Sequence, residues 1–384
     1  MEIKNRNLFR LTRFVLFRVS ALFRFMAKFR SPKKRLLIIK TDAIGDYILF
    51  RNFLEVIKNS ECYSDYQIDL LGNEAYKDIA ITYDAAFINT LTFIKPYNLY
   101  ESPLQTLKLG WQLFKRNYQL VLQPAYTRLL INDGLAALAA AKQIIGFAGD
   151  NEGIKEKYKI KTDKFYTQLL PLPTDIYFEF DRTKFFFKTV LQQKIDLNAP
   201  YTPVHNTTKQ GIVIFTGAGI SKRSWEKEKF LELIKLIQTH SQQPIYLAGA
   251  VSEIETAQYL STNLPPGSVN DLTYKTTLPQ LVQLIASATL VISNETSAVH
   301  IAAATQTPCV CILGGGHFGR FAPYPQQMGH KPTCVYKKME CFNCNWNCIF
   351  ETQPHEPYPC ISIISVENVW AAVQEILAMH KSGA

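Results

Sequence analysis

Leu36-Leu37-Ile38-Ile39-Lys40-Thr41-Asp42-Ala43-Ile44-Gly45-Asp46 is a short apolar run that ends in a polar turn, and residues 47–60 after it carry an amphipathic helical pattern. A run of this length followed by a helix reads as the opening of a βαβ unit. Outward from it, 67–71, 87–94, 120–123 and 143–147 read as further strands of one domain. The stretch Pro171 to Gln210, with prolines towards its ends and Phe185, Phe186 and Phe187 in its middle, then reads as the link between halves, with the bridge at 176–210. The alternation starts again with strands at 211–215, 244–248, 289–293 and 309–313 and helices at 225–240, 278–287, 296–304 and 366–380. Strands that alternate with helices predict an α/β chain of two doubly wound, Rossmann-like domains, with ligands in the cleft at the carboxyl ends of their strands. The expected division is 1–35, 36–175, the bridge 176–210, 211–365 with a Cys-rich insert at 334–360, and a closing helix and tail at 366–384.

The 384 residues, 47% hydrophobic with 18 Gly and 19 Pro, fit two globular domains of ordinary size. The net charge of +10 is not spread over them. Residues 1–35 hold eleven Lys or Arg against one acid, Glu2, and the rest of the chain balances at 31 basic and 31 acidic side chains. A neutral body argues against a groove that tracks nucleic-acid phosphates, so no nucleic-acid partner is expected. On a helical wheel Arg6, Arg10, Arg13, Arg24 and Lys28 share one face, opposite Leu8, Leu11, Val15, Val19, Leu22, Met26 and Phe29. Basic residues interrupt the pattern too often for a membrane span, and no small-residue cleavage site follows. The pattern predicts a helix on an anionic membrane surface, with Phe14, Phe23, Phe25 and Phe29 in the acyl boundary. A helix packed on its own protein or on a second subunit is the alternative.

The residues with chemistry lie at strand ends. In Ser293-Asn294-Glu295-Thr296-Ser297-Ala298-Val299-His300 a strand turns into a small-residue helix, whose free N–H groups and positive dipole end suit an anion. Thr296 and Ser297 add hydroxyl donors, and Gly314, Gly315 and Gly316 permit close backbone approach. An ordinary capped helix beside a glycine turn is the alternative. In the opening turn Gly45 permits a tight bend and Asp46 enters the first helical turn, where the dipole keeps its carboxylate ionised. Asp42 is a second, weaker candidate there.

These stretches, with Thr307-Pro308 and the segment Gly319-Arg320-Phe321-Ala322-Pro323-Tyr324, resemble glycosyltransferase family 9, which contains the bacterial lipopolysaccharide heptosyltransferases. The resemblance runs over most of 36–380. It implies the two-domain GT-B fold, 36–175 as the acceptor side and 211–365 as the donor side. It also implies an inverting, metal-independent transfer of a sugar, with ADP-heptose as leading donor, from a nucleotide diphosphate to a lipid-linked saccharide. By the same resemblance Asp46 is the catalytic base. The donor residues are Thr216, Gly217, Lys222, Arg223, Glu253, Glu295, Thr296, Ser297, His300, Gly315 and Arg320, with Glu253 on the ribose. Glu295 replaces the commoner Asp, and His317 stands where the family usually has a polar or acidic residue. The place implied is the cytoplasm, at the inner face of the cytoplasmic membrane. A nucleotide-sugar epimerase or other GT-B enzyme, and a non-catalytic membrane-tethered module, are the rival readings.

Cys341, Cys344, Cys348 and Cys360 give C-x2-C-x3-C-x11-C, while Cys62, Cys309, Cys311 and Cys334 are scattered. The quartet predicts a structural zinc site, with iron–sulfur ligation or free thiols as alternatives. Comparable inserts in the family make it a lineage feature remote from catalysis.

Overall fold

The computed structural model describes residues 3–204 and 208–382. They fold as two compact units, one of 1–176 with 180–197, the other of 177–179 with 198–384. The first holds strands β1 (Lys33–Lys40), β2 (Gln67–Asn73), β3 (Thr90–Ile94), β4 (Tyr118–Gln123), β5 (Gln143–Phe147) and β6 (Gln168–Leu170). The second holds β7 (Ile212–Phe215), β8 (Ile245–Ala248), β9 (Asn270–Asp271), β10 (Leu290–Asn294), β11 (Cys309–Ile312) and β12 (Thr333–Val335). Both sheets are parallel, and their orders, β3-β2-β1-β4-β5-β6 and β12-β11-β10-β7-β8-β9, follow one winding plan. In each, the chain reverses its direction of travel beside the first strand, between β1 and β4 and between β7 and β10. Central strands are buried on both faces, which is why Leu36 to Ile39 and Leu290 to Ile292 are unbroken apolar runs with essentially no exposure.

The stretch expected as a bridge is divided between the units. Its helix Glu179–Leu191 buries Phe180, Phe186 and Phe187 in the first unit, where Phe53 meets Phe180 at 5.4 Å and Phe187 at 5.3 Å, and Phe147 meets Phe186 at 5.1 Å. The Phe-rich middle is therefore core. The helix expected over 47–60 is two, Ile44–Phe50 and Asn52–Lys58, hinged at Arg51. Arg51 turns inward to a buried pair with Asp84, Nη2 to Oδ1 at 2.7 Å, and Tyr47 donates to the same carboxylate at 2.7 Å.

The amino-terminal helix is present as Arg6–Phe14, a π-helical stretch Val15–Val19 and Ser20–Ala27, but its faces differ from the expected ones. Thr12, Val15, Leu16, Ser20 and Phe23 are buried against the first unit, with Leu16 on Gly134, where a side-chain carbon would collide with it. Phe23 stacks on Phe114 at 4.6 Å, so it is not a membrane-facing ring. The π stretch widens the turn and shifts the phase that a regular wheel assumes. Leu11, Phe14, Leu22, Phe25 and Phe29 remain 55–77% exposed.

Candidate functional site

At the switch point of the second sheet, the loops after β7 and β10 are fastened by one side chain. Asn294 is fully buried at the end of β10; its Nδ2 donates to the carbonyls of Thr216 at 2.8 Å and Gly217 at 3.1 Å, and its Oδ1 accepts from the Trp225 N–H at 3.0 Å. Sequence reasoning passed over it. A lone amide ending a buried apolar strand was the available signal, because a buried amide must find partners across the sheet. Crevices at such switch points are where open α/β sheets take ligands.

Several expected residues gather here. The Glu253 carboxylate packs on Gly217 and Gly249, where a side-chain carbon would collide with it, and accepts from the Ala250 N–H and from Ser252 Oγ at 2.6 Å. Glu295 follows Asn294, is 8% exposed, and lies 3.6 Å from Arg223 Nη2. Burial pushes its carboxyl up to about 7, while Arg223 pulls the other way. Thr296 caps the helix Ser297–Ala304, accepting from the Ala298 N–H at 3.3 Å, with its hydroxyl 3.1 Å from that of Ser293. Thr296 and Ser297 are both half-buried.

His300 and Arg320 are buried and bonded to protein partners. His300 is buried, with Nδ1 2.8 Å from the Tyr324 hydroxyl, and burial lowers its pKa to about 4, so the ring is neutral. Arg320 is buried with Nε 3.2 Å from Glu179 Oε2, and its carbonyl accepts from the Glu179 N–H at 2.8 Å.

The Cys-rich insert is not remote from these loops. Lys222 Nζ donates to the Thr352 hydroxyl at 2.7 Å and its carbonyl accepts from the Tyr358 N–H at 2.8 Å, while the Arg223 guanidinium lies over the Trp346 ring at 4.2 Å. Gly315 and Gly316 were expected to admit a ligand's approach, yet their space is taken. A side-chain carbon at Gly315 would collide with Phe342 and one at Gly316 with Trp346. Sequence alone does not say which neighbour a glycine makes room for. Cys341, Cys344, Cys348 and Cys360 line one cavity of about 10 Å³, near the room one water needs, in which Trp346, Phe350 and Tyr358 stand among the thiols. Among the described residues no group of three or more His, Cys, Asp or Glu side chains is placed to hold a metal ion. The four thiols expected as a zinc site share that one cavity, and no step below passes through a metal.

In the first unit Asp46 lies in the first turn of Ile44–Phe50, half-buried, at the carboxyl end of β1. Two amides that sequence reasoning missed shape its loop. Asn73 Nδ2 donates to the carbonyls of Thr41 at 3.0 Å and Asp42 at 3.2 Å, and Thr41 Oγ1 donates to Asn132 Oδ1 at 2.9 Å. Asp42 is bound to the buried Lys40 Nζ at 2.7 Å.

The family model of glycosyltransferase family 9 (heptosyltransferase) matches residues 107–347, well over half of the chain. The chain belongs to glycosyltransferase family 9. This family 9 chain is 24% identical over 156 residues to lipopolysaccharide heptosyltransferase 3 of Escherichia coli (strain K12), a match that takes in 40% of this chain and 43% of the relative. It thus spans less than half the length of that relative. Among solved structures, ADP-heptose LPS heptosyltransferase II of E. coli aligns with a TM-score of 0.67 at 15% identity, covering 90% of this chain and 99% of that one. A glycosyl transferase family 9 protein from Veillonella parvula aligns with a TM-score of 0.68 at 16% identity, over 91% and 98%. The expected GT-B fold is the fold these proteins share with it.

The buried Glu295 gives the family 9 chain a readable pH signature. An unfolded Glu ionises near 4.5, whereas the folded group holds its proton to about 7. The folded state therefore binds more protons in that window, and rising pH lowers stability there. Glu295→Gln removes this loss. The stability difference between variant and wild type should move in the variant's favour by about 2–3 kcal/mol between pH 4.5 and 7.5, read from denaturant unfolding. A pH-independent difference would show that Glu295 titrates normally. His300 works in the opposite direction below pH 6.5 and cancels in that comparison.

Proposed function

We propose that this family 9 protein is an inverting glycosyltransferase that moves a sugar, with heptose from ADP-heptose as the leading donor, to a hydroxyl of a lipid-linked saccharide. The observation that carries the reading is the Asn294-fastened switch point, with a helix start, two cations and two carboxylates around it. The diphosphate is held by the helix start at Thr296 and Ser297 and by Lys222 and Arg223, and Glu253 takes the ribose hydroxyls. As the acceptor oxygen attacks the anomeric carbon, its proton passes to Asp46 and the bond to the departing nucleoside diphosphate breaks with inversion. The cations offset the charge that develops on the leaving group, so the chemistry asks for no metal.

Among ADP, UDP, GDP and CMP, ADP is expected to raise the melting temperature most, since a binder present at a hundred times its Kd stabilises by about 2.7 kcal/mol. An equal response to all four sinks the donor assignment.

The protein acts at an anionic membrane surface, by its amino-terminal helix. No helix among the described residues is long and apolar enough to cross a membrane. The helix instead exposes Phe14, Phe25 and Phe29 beside the exposed Arg10, Arg18, Arg24 and Lys28. Such basic residues contribute about 1 kcal/mol each near anionic lipid. The chain should sediment with vesicles of phosphatidylglycerol more than with phosphatidylcholine, and Phe14→Ser with Phe25→Ser and Phe29→Ser should weaken that at least about tenfold. Equal sedimentation with both lipids would remove the membrane from the proposal.

A further inference from the structure

We propose that Trp346 is a positioning residue of the donor site, through which the Cys-rich segment sets the direction of Arg223. The inference rests on the reading of the second sheet's switch point as that donor site. Arg223 ends a single 3-10 turn, Ser221–Arg223, so its backbone does little to fix its long side chain. What does so is a carboxylate 3.6 Å from one end of the guanidinium, that of Glu295, and the Trp346 ring face 4.2 Å away. A planar guanidinium laid on an indole keeps its donors in one plane and loses little freedom when it grips an anion.

The ring is held by several other neighbours. Its Nε1–H donates to His317 Nδ1 at 3.3 Å, it stacks on Tyr358 at 5.6 Å, and it closes over Gly316 and over Gly314, where a side-chain carbon would lie 2.7 Å from it. The thiols of Cys341, Cys344, Cys348 and Cys360 share the cavity beside it. The backbone carries a cost to put it there. Asn343, Asn345 and Trp346 have φ values of 67°, 51° and 60°, a left-handed region that Asn tolerates and a bulky residue enters only when its surroundings demand it. Two hydrogen bonds hold that arrangement to the glycine loop, from the Asn343 N–H to the Gly315 carbonyl at 2.7 Å and from the Asn345 N–H to the Gly316 carbonyl at 2.9 Å. Strain, packing and hydrogen bonding thus converge on one ring, and the ring faces the cation.

ADP titrations of wild type, Trp346→Phe, Trp346→Leu, Trp346→Ala, Arg223→Ala and the Trp346→Ala/Arg223→Ala pair test this, alongside melting temperatures. An aromatic face is the element required. Trp346→Phe should stay within about twofold of wild type, and Trp346→Leu and Trp346→Ala should both weaken ADP by about tenfold. The double variant should bind within about twofold of Arg223→Ala, because the ring acts through that residue. If Trp346→Ala does not fold, Leu against Phe makes the same comparison at retained volume. Wild-type affinity in the Leu variant, or losses that multiply in the double variant, would overturn the positioning role and leave the donor site standing. A wild-type chain that binds no ADP would overturn both.

Discussion

Asp46→Asn should lower sugar transfer by roughly a hundred- to ten-thousand-fold while ADP affinity and melting temperature stay near wild type. The substitution keeps the shape of the side chain and removes the oxygen that the proposed reaction needs as proton acceptor. Asp46 sits in the first turn of Ile44–Phe50, where the helix dipole favours a carboxylate over an amide by about 0.3–1 kcal/mol. The loss should appear in kcat, with KM for the donor unchanged, since a base acts on the attacking hydroxyl and not on donor binding. Asp42→Asn makes the contrast. It weakens the ion pair with the buried Lys40, so its effect should fall on melting temperature before rate. Transfer at the normal rate in Asp46→Asn would show that Asp46 is not the base.

The largest stability effect is expected at Arg128→Met. Arg128 has no exposed surface; its Nη2 faces Asp133 at 3.3 Å and Asp163, its Nη1 donates to the Phe147 carbonyl at 3.1 Å, and its guanidinium lies 4.7 Å from the centre of the Tyr166 ring. Burial already pushes the Asp133 carboxyl up, with Arg128 as the main opposing influence. Removing the cation leaves that carboxyl with the Tyr166 hydrogen bond but without its buried countercharge, a loss of about 3–5 kcal/mol, or about 2–4 °C of melting temperature per kcal/mol in a unit of this size. The loss should deepen as pH rises, because the stranded Asp133 stays folded at lowest cost while protonated. Adding Asp133→Asn should recover part of it. If the single variant melts within 2 °C of wild type, the cluster is not a closed charge network.

The central strands were legible because burial on both faces leaves nothing but apolar residues in them, as at Leu36 to Ile39 and Val310 to Ile312. The edge strands β6, β9 and β12 were not, since two- or three-residue strands with exposed positions have no period to read. The polar turns at Asp46 and Glu295 announced themselves as charged residues at strand ends. What held them did not: Asn73 and Asn294 act through distant backbone carbonyls and Asn132 through the Thr41 hydroxyl, which no local pattern encodes. The amino-terminal wheel misplaced Phe23 because a regular period cannot foresee a π turn. The glycines at 314–316 were read as room for a ligand, and the occupants, Phe342 and Trp346, lie some thirty residues on.

The division of the chain at 176–180 bears on where it can be truncated. Tyr177, Phe178 and Glu179 belong to the second unit, yet the backbone on both sides of them belongs to the first. Within that second unit Phe178 packs on Tyr324 at 4.8 Å, and Glu179 grips Arg320 by side chain and backbone. The polypeptide therefore changes units three times, after residues 176, 179 and 197. A fragment that starts at residue 198 lacks Glu179, a partner of the buried Arg320, and one that ends at residue 197 carries three residues whose neighbours are missing, so no single uninterrupted stretch is either unit whole.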